Sequence, residues 1–535
     1  MGKNSKKRKN APEKIAAVVK KVKHAPLPAA AFHVQNNDSD TPSPADNDTS
    51  LEKTALTSAS ATAGEMIGGL LYEDELETTT DTLRLLAQNP SLIGLKALKP
   101  FKTAVHDYWR VAHETTLTGT SLTSRISSAL IDQRHVDALV LLSEMAIRGQ
   151  VPKLGALQRW VRECDAVLTP VMSQDEENRV WQVLDAILRT TQPEMIAPAR
   201  LGSGGKDEDE GELKAGTRLR WYKPFSVDPG FSTFQKTAPT PLRTESSSSP
   251  PSQDPSQVAH AASTLLTPLH TTPGPARRPP NKHPLTIYHS PPSTFPLIPS
   301  HLLPRPPTRH DLPGVPGAFI INDTFTSAEC DALVLAAEKV GLAPDEPIAG
   351  SAAQLASVLA HNLVWLADEG FERELFARIE GLLPHSVSGG AVRGVNRRFR
   401  IYRYRPGALY RPHIDGAWPA SSLGPSNPSD PSSPPTYIYD ADPTTYSRLT
   451  LLIYLNGADA FSGGCTTFFL PSSTPGVLEA RPVSPRKGTV CVFPHGKALG
   501  SLLHEGSGVT EGAKYVIRTE VLYEVDKAER VDAAI

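Results

Sequence analysis

His413 and Asp415 stand two residues apart at the end of the run Tyr404-Arg-Pro-Gly-Ala-Leu-Tyr-Arg-Pro-His-Ile-Asp415. Their side chains converge only where the backbone is extended, because residues i and i+2 share one face of a β-strand and diverge on a helix. The chain contains its own contrast in His135-Val136-Asp137, which has the same spacing but lies in Gln133 to Met145, a stretch of helical apolar periodicity. With 16 His in the chain, the spacing alone says little. Weight comes from the β-type runs around it and from His504, a second histidine in a later run of the same kind. Two imidazoles and a carboxylate brought together by strands occupy one face of an octahedral ferrous ion and leave three positions open.

The β-type runs are Arg398 to Tyr404, Arg448 to Leu455, Cys465 to Phe469, Gly488 to Phe493 and Lys514 to Tyr523, separated by Gly, Pro and polar turns. Ahead of them, Gly317 to Phe325 is also β-type. Thr326-Ser327-Ala328-Glu329 then opens a capped amphipathic helix carrying Cys330, Leu333, Val334 and Ala337. A helical segment is expected from about 353 to 383. Helices followed by many short strands predict a double-stranded β-helix, the jelly-roll shape.

The chain has 535 residues, but 50 Pro and long polar runs make its folded part smaller than that length suggests. Residues 1–63 read as a disordered basic and polar tail. Residues 64–225 read as an all-helical domain, from apolar positions such as Leu142, Met145, Leu157, Trp160, Val180, Trp181 and Leu184. Gly204 to Gly211 is an acidic loop, and Leu219 to Phe225 is expected to pack back on a folded domain. Residues 226–285 read as a Pro/Ser-rich disordered linker, 286–526 as the β-rich domain, and 527–535 as a tail. The Pro, Ser and Asp rich insertion 416–447 is read either as a lid or substrate reader or as a plain disordered insertion. The fold class is thus multidomain α and β, with a jelly-roll C-terminal domain flanked by helices.

Four scattered cysteines, Cys164, Cys330, Cys465 and Cys491, make neither a disulfide framework nor a thiolate metal site. With no secretory or membrane-spanning apolar segment, the expected location is cytoplasmic or nuclear and no membrane partner is expected. Residues 1–24 carry nine Lys or Arg against Glu13, and Lys6-Lys-Arg-Lys9 reads as a nuclear signal, a nucleic-acid tail or a solvated basic tail. Seven arginines from Arg393 to Arg411 read as a solvated, ion-paired face, with an acidic peptide or nucleic acid as the other reading.

Residues from about 315 to 525 resemble the prolyl 4-hydroxylase-like branch of the iron(II) and 2-oxoglutarate dependent oxygenases. The resemblance is carried by Tyr404 to Asp415, Arg448 to Asn456, Gly463-Gly464-Cys-Thr-Thr-Phe, and His504 followed ten residues later by Lys514. It implies that His413, Asp415 and His504 hold Fe(II), leaving room for 2-oxoglutarate and O2. It also implies that Lys514 pairs with the distal carboxylate of 2-oxoglutarate, and that Tyr404 and Tyr454 place hydroxyls near it. L-ascorbate is a further ligand the family commonly uses. Arg518, which shares the strand face of Lys514, is an alternative carboxylate anchor or an ion-pair partner near Glu520, and His495 reads as a turn residue in a supporting or surface role.

The activity implied is a dioxygenase that couples decarboxylation of 2-oxoglutarate to hydroxylation of a C–H bond, with a protein prolyl or other side chain as substrate. Two alternatives stay open: an oxygenase acting on RNA, and a non-catalytic jelly-roll binding or scaffold protein. Residues 125–160 also resemble one pentatricopeptide-type helical hairpin. A single copy is too short for an RNA-reading solenoid, which leaves an ordinary hairpin as the alternative. Oligomeric state is open.

Overall fold

The structure is a computed structural model that describes residues 66–67, 71–117, 121–168, 171–192, 211–227, 266–278, 280–348, 355, 359–424 and 435–525. The basic tail, Lys6 to Lys9, most of the acidic loop and the end of the chain lie outside these residues. The chain falls into two units, Met1–Glu75 and Leu76–Ile535. In the first, Met66–Ile67 pairs antiparallel with Leu71–Tyr72.

The second unit begins with helices. α1 (Glu73–Gln88) opens at the boundary, followed by α2 (Pro90–Ile93) and α3 (Lys99–Leu117), and then by a bundle of α4 (Leu122–Ile131), α5 (His135–Ile147), α6 (Leu154–Val167) and α7 (Gln174–Arg189). Ser121 caps α4, and Ser173 with Glu176 forms a capping box on α7, so orphan amides at both helix starts are satisfied. α4 and α5 form the hairpin noted in the sequence. His135 and Asp137 lie on α5, as the period required.

Two sheets follow. The larger runs in the order Thr267–Thr272, Leu285–His289, His361–Leu366, Arg398–Tyr404, Lys514–Glu524, Thr436–Tyr454, Val490–Pro494, Phe319–Asn322, Thr308–Asp311. The smaller runs Tyr410–His413, Leu503–Gly506, Thr466–Pro471, Leu478–Val483, Leu219–Trp221, Glu212–Leu213.

Strand alternation sorts side chains into three main cores and a smaller one of Ile287, Val364 and Leu366. Tyr402, Tyr454, Cys491 and Val516 of the larger sheet meet Phe468, Leu470 and Val483 of the smaller one. The neighbouring residues Leu451, Ile453 and Ile517 point the other way, onto α8 (Ser327–Val340) and α9 (Glu369–Ile379). Phe469, Leu478, Ala480 and Leu503 of the smaller sheet bury against Trp160, Trp181 and Leu184 of the bundle. The order of layers is therefore α8 and α9, larger sheet, smaller sheet, helical bundle.

This arrangement differs from the sequence reading in four places. The bundle shares a core with the smaller sheet and lies in the same compact unit, rather than standing apart across a linker. Leu219–Trp221 packs back as expected, but as a strand of the smaller sheet, parallel to Leu478–Ala480. Thr267–Thr272, inside the interval read as linker, is an edge strand paired with Leu285–His289. His361–Leu366 is a strand where a helix was expected: it is covered on both faces, so its continuous apolar run lost the alternation that marks a half-buried strand.

The insertion 416–447 is largely a β-hairpin. Pro419–Gly424 pairs with the first half of the long strand Thr436–Tyr454, and Leu423 and Tyr437 pack on Ile287, Val364 and Leu366. Residues 425–434 lie outside the described residues.

Candidate metal centre

His413 and His504 are directly opposed across the antiparallel strands Tyr410–His413 and Leu503–Gly506. Opposed residues of such a pair bring their side chains together on one face, and the two imidazole centroids lie 4.3 Å apart. Asp415, two residues on, completes the cluster: its Oδ1 is 3.5 Å from His413 Nε2 and its Oδ2 is 3.9 Å from His504 Nε2. One ligand atom from each residue falls within 4.8 Å of the other two.

Both rings are held in one tautomer by the backbone. His413 Nδ1–H donates to the Arg411 carbonyl at 2.8 Å, and His504 Nδ1–H to the Leu502 carbonyl at 3.1 Å. A carbonyl only accepts, so each Nε2 keeps its lone pair, free for a metal. Burial pushes the His504 pKa down to about 3, which keeps that ring neutral. Burial opposes ionisation of Asp415, but the Arg518 guanidinium overcomes it and holds the carboxyl well below the usual range.

The Asp415 carboxylate is oriented from two sides. Arg518 grips it through Nη2 to Oδ1 at 3.2 Å and Nε to Oδ2 at 3.3 Å, and reaches Glu520 through Nη1 at 2.7 Å. Arg518 is thus an ion-pair partner of Glu520, as one of the open readings had it, and of Asp415 as well. Thr450 Oγ1 donates to Asp415 Oδ2 at 2.6 Å and so accepts from His495 Nδ1–H at 2.7 Å. His495 Nε2 then accepts from the Ser447 hydroxyl at 2.7 Å, and Ser447 Oγ accepts from the Trp418 amide at 2.7 Å. His495 is only 3% exposed and supports Asp415 through Thr450.

The cluster opens on a cleft lined by Tyr402, Tyr404, Tyr410, Leu452, Thr466, Glu505, Val516, Lys514 and Arg518. Lys514 is the cross-strand partner of Tyr404 and is 3% exposed. Its Nζ donates to the Gly464 carbonyl at 2.7 Å and lies 5.3 Å from the Tyr404 ring centroid, with no carboxylate against it among the described residues. Burial lowers its pKa to about 8. Gly464 has φ +68°, and a Cβ there would meet the Lys514 Cδ at 3.2 Å, so the glycine lets the carbonyl and the lysine approach. Tyr454 lies behind this wall: its hydroxyl donates to Thr466 Oγ1 at 2.8 Å, and Thr466, not Tyr454, faces the cleft.

No residue of the 416–447 hairpin lines the cleft among the described residues. Five of the seven arginines pair with acids: Arg393 with Glu524, Arg397 with Glu369, Arg400 with Asp345, Arg403 with Glu338 and Arg411 with Asp165. Arg398 stacks 4.3 Å over Trp418. These are the fixed pairs of a folded face. Thr450, Glu505, Gln158 and Asp165 were not singled out in the sequence. For Thr450 there was a signal, a polar residue at an inward position of an apolar strand; for the helix residues there was none, since only packing brings them near.

No helix among the described residues is long and apolar enough to cross a membrane. No protein-family model matches the chain, and no curated protein does. Solved structures do match. The viral collagen prolyl hydroxylase of Paramecium Bursaria Chlorella virus-1, in its 2OG complex, is similar at 21% identity over 39% of this chain and 96% of its own, with TM-score 0.24. A prolyl hydroxylase of Trichoplax adhaerens, in complex with a hypoxia inducible factor oxygen degradation domain peptide fragment, is similar at 15% identity over 40% and 86%, with TM-score 0.25. A prolyl-4-hydroxylase of Pseudomonas putida is similar at 17% identity over 39% and 94%, with TM-score 0.23.

Proposed function

We propose that this chain is an Fe(II)- and 2-oxoglutarate-dependent dioxygenase of the prolyl 4-hydroxylase-like kind, with a jelly-roll core, that hydroxylates a protein side chain, proline foremost. The observation that carries the reading is a pairing of features in one cleft. Two Nε2 lone pairs and an ionised carboxylate converge on a point, and the other wall holds a buried lysine with no carboxylate against it among the described residues.

The residues fit the group. His413, Asp415 and His504 would hold Fe(II), the two-histidine, one-carboxylate donor set that leaves coordination positions open. Bound there with 2-oxoglutarate and O2, iron supplies oxidative decarboxylation to succinate and CO2 and hydroxylation of a C–H bond. Lys514 would take the distal carboxylate of 2-oxoglutarate, a charge-assisted contact made inside a dry wall, with Tyr404 beside it. Arg518 and Thr450 hold the Asp415 oxygens in place. Tyr402, Tyr404 and Tyr410 present aromatic rings to whatever side chain enters.

The test is anaerobic addition of Fe(II) and 2-oxoglutarate to the full chain, following the weak visible charge-transfer band of the chelate. Wild type is expected to show the band and His413→Ala to lose it. Lys514→Ala is expected to need at least tenfold more 2-oxoglutarate. A wild-type chain with no band, and no succinate on admission of O2 with proline-containing peptides, would overturn the reading.

A further inference from the structure

Helix α6 reaches the metal-bearing strand at two points. Gln158 Nε2 donates to the carbonyl of Ile414, the residue between His413 and Asp415, at 3.0 Å. Seven residues on, and so on the same helix face, Asp165 accepts from Arg411 Nε at 2.5 Å, and the Asp165 carbonyl accepts from Arg411 Nη2 at 3.0 Å. Asp165 is 5% exposed. The Arg411 carbonyl is the group that accepts the His413 Nδ1 proton. The strand itself is four residues long, stands at the edge of the smaller sheet, and has an irregular register with Leu503–Gly506 between Tyr410 and His413. Its ladder is therefore a weak restraint on the direction of the Arg411 carbonyl, and Pro412 contributes no amide to that ladder.

We propose that Asp165 and Gln158 are positioning residues of the metal centre: by holding Arg411 and the Ile414 carbonyl, helix α6 sets the tautomer and ring direction of His413. The helical bundle is then a structural part of the site and not an appended module. His504 provides the internal comparison, because its Nδ1 proton goes to the carbonyl of Leu502, the residue just before its own strand, and no side chain of helix α6 bonds to that carbonyl among the described residues. The assignment deepens the metal reading above and rests on it only for its consequence in metal binding; the geometry at His413 stands without a metal.

The experiment uses the full, metal-free chain with ¹⁵N-labelled histidine, the two resonances being assigned with His413→Gln and His504→Gln. In wild type both rings are expected as the Nδ1–H tautomer. In Asp165→Asn, and separately in Gln158→Met, the His413 nitrogens are expected to move toward a mixture of tautomers while those of His504 stay in place. Leu157→Ala, a core change on the same helix, destabilises the bundle and is expected to leave both rings as they were.

Titration with Co(II) then reads the consequence. Asp165→Asn is expected to weaken binding about tenfold or more, the scale of loss when the partner of a ligating histidine is disturbed. Asp165→Asn combined with Arg411→Gln is expected to bind no more weakly than Arg411→Gln alone. The proposal is overturned if His413 and His504 move together, if neither moves, or if Leu157→Ala reproduces the change. A wild-type chain that binds no Co(II) counts against the metal reading, and the tautomer measurement still decides this one.

Discussion

Arg518 and Asp415 form a buried two-point ion pair, guanidinium to both carboxylate oxygens at 3.2 and 3.3 Å, on a residue whose oxygens also face two imidazoles. Removing one partner leaves the other charge buried without its counterion, which costs roughly 3 to 5 kcal/mol. Arg518→Gln is therefore expected to lower the unfolding free energy of the metal-free chain by about that amount in a denaturant titration at neutral pH. Arg518→Lys is expected to recover only part of it, because a point charge cannot grip both oxygens. A loss below about 1 kcal/mol would show that the pair contributes little.

Lys514 carries a pH prediction. Its folded-state pKa, about 8, lies below the ordinary lysine value because burial disfavours the ammonium. The unfolded chain therefore binds the extra proton more readily, and stability rises with pH between about 8 and about 10.4. Below that window the buried ammonium costs roughly 3 kcal/mol. Lys514→Met is expected to make the ligand-free chain more stable at pH 7 and to flatten its stability between pH 8 and 10, while raising the 2-oxoglutarate needed at least tenfold. The check is the unfolding midpoint across that range for the two chains.

Thr450 links Asp415 to His495 by one hydroxyl. Thr450→Val keeps the volume and removes both hydrogen bonds, one of them to a charged group and worth about 1.5 to 3 kcal/mol. Co(II) affinity is expected to fall 10- to 100-fold, and Thr450→Ser to restore most of it. If Thr450→Val binds Co(II) like wild type, the relay through His495 is not a support of the site.

The bundle and the smaller sheet share a core, with Phe469, Leu478, Ala480 and Leu503 covered by Trp160, Trp181 and Leu184. A fragment of residues 286–535 strips that cover from the face behind His504. The fragment is expected to bind a hydrophobic dye and to lose cooperative unfolding, whereas residues 121–535 keep both solubility and a single transition. Cooperative unfolding of the shorter fragment with wild-type Co(II) affinity would contradict the shared core.

Several of these features were legible in the chain before it folded. A period of two around His413 and Asp415 and a period of 3.6 around His135 and Asp137 assign opposite geometries to one spacing, because backbone conformation alone decides whether i and i+2 share a face. Strand Arg398–Tyr404 and the capped helix Ser327–Val340 appear at the positions their local patterns require, as do the buried faces of α6 and α7. These are properties of neighbouring residues.

The remaining features depend on contacts between distant parts of the chain. His361–Leu366 became a strand because it is covered on both faces, a circumstance its own residues cannot encode. His504 meets His413 through the register of two strands about ninety residues apart in the chain. Arg518 chose Asp415 and Glu520, Tyr454 gave its hydroxyl to Thr466, and Asp165 and Gln158 reached Arg411 and Ile414, on either side of His413, from more than 240 residues away. Residue type and period set which face a side chain occupies; which side chain it faces depends on the packing of layers, and that is settled only when the sheets and helices close on one another.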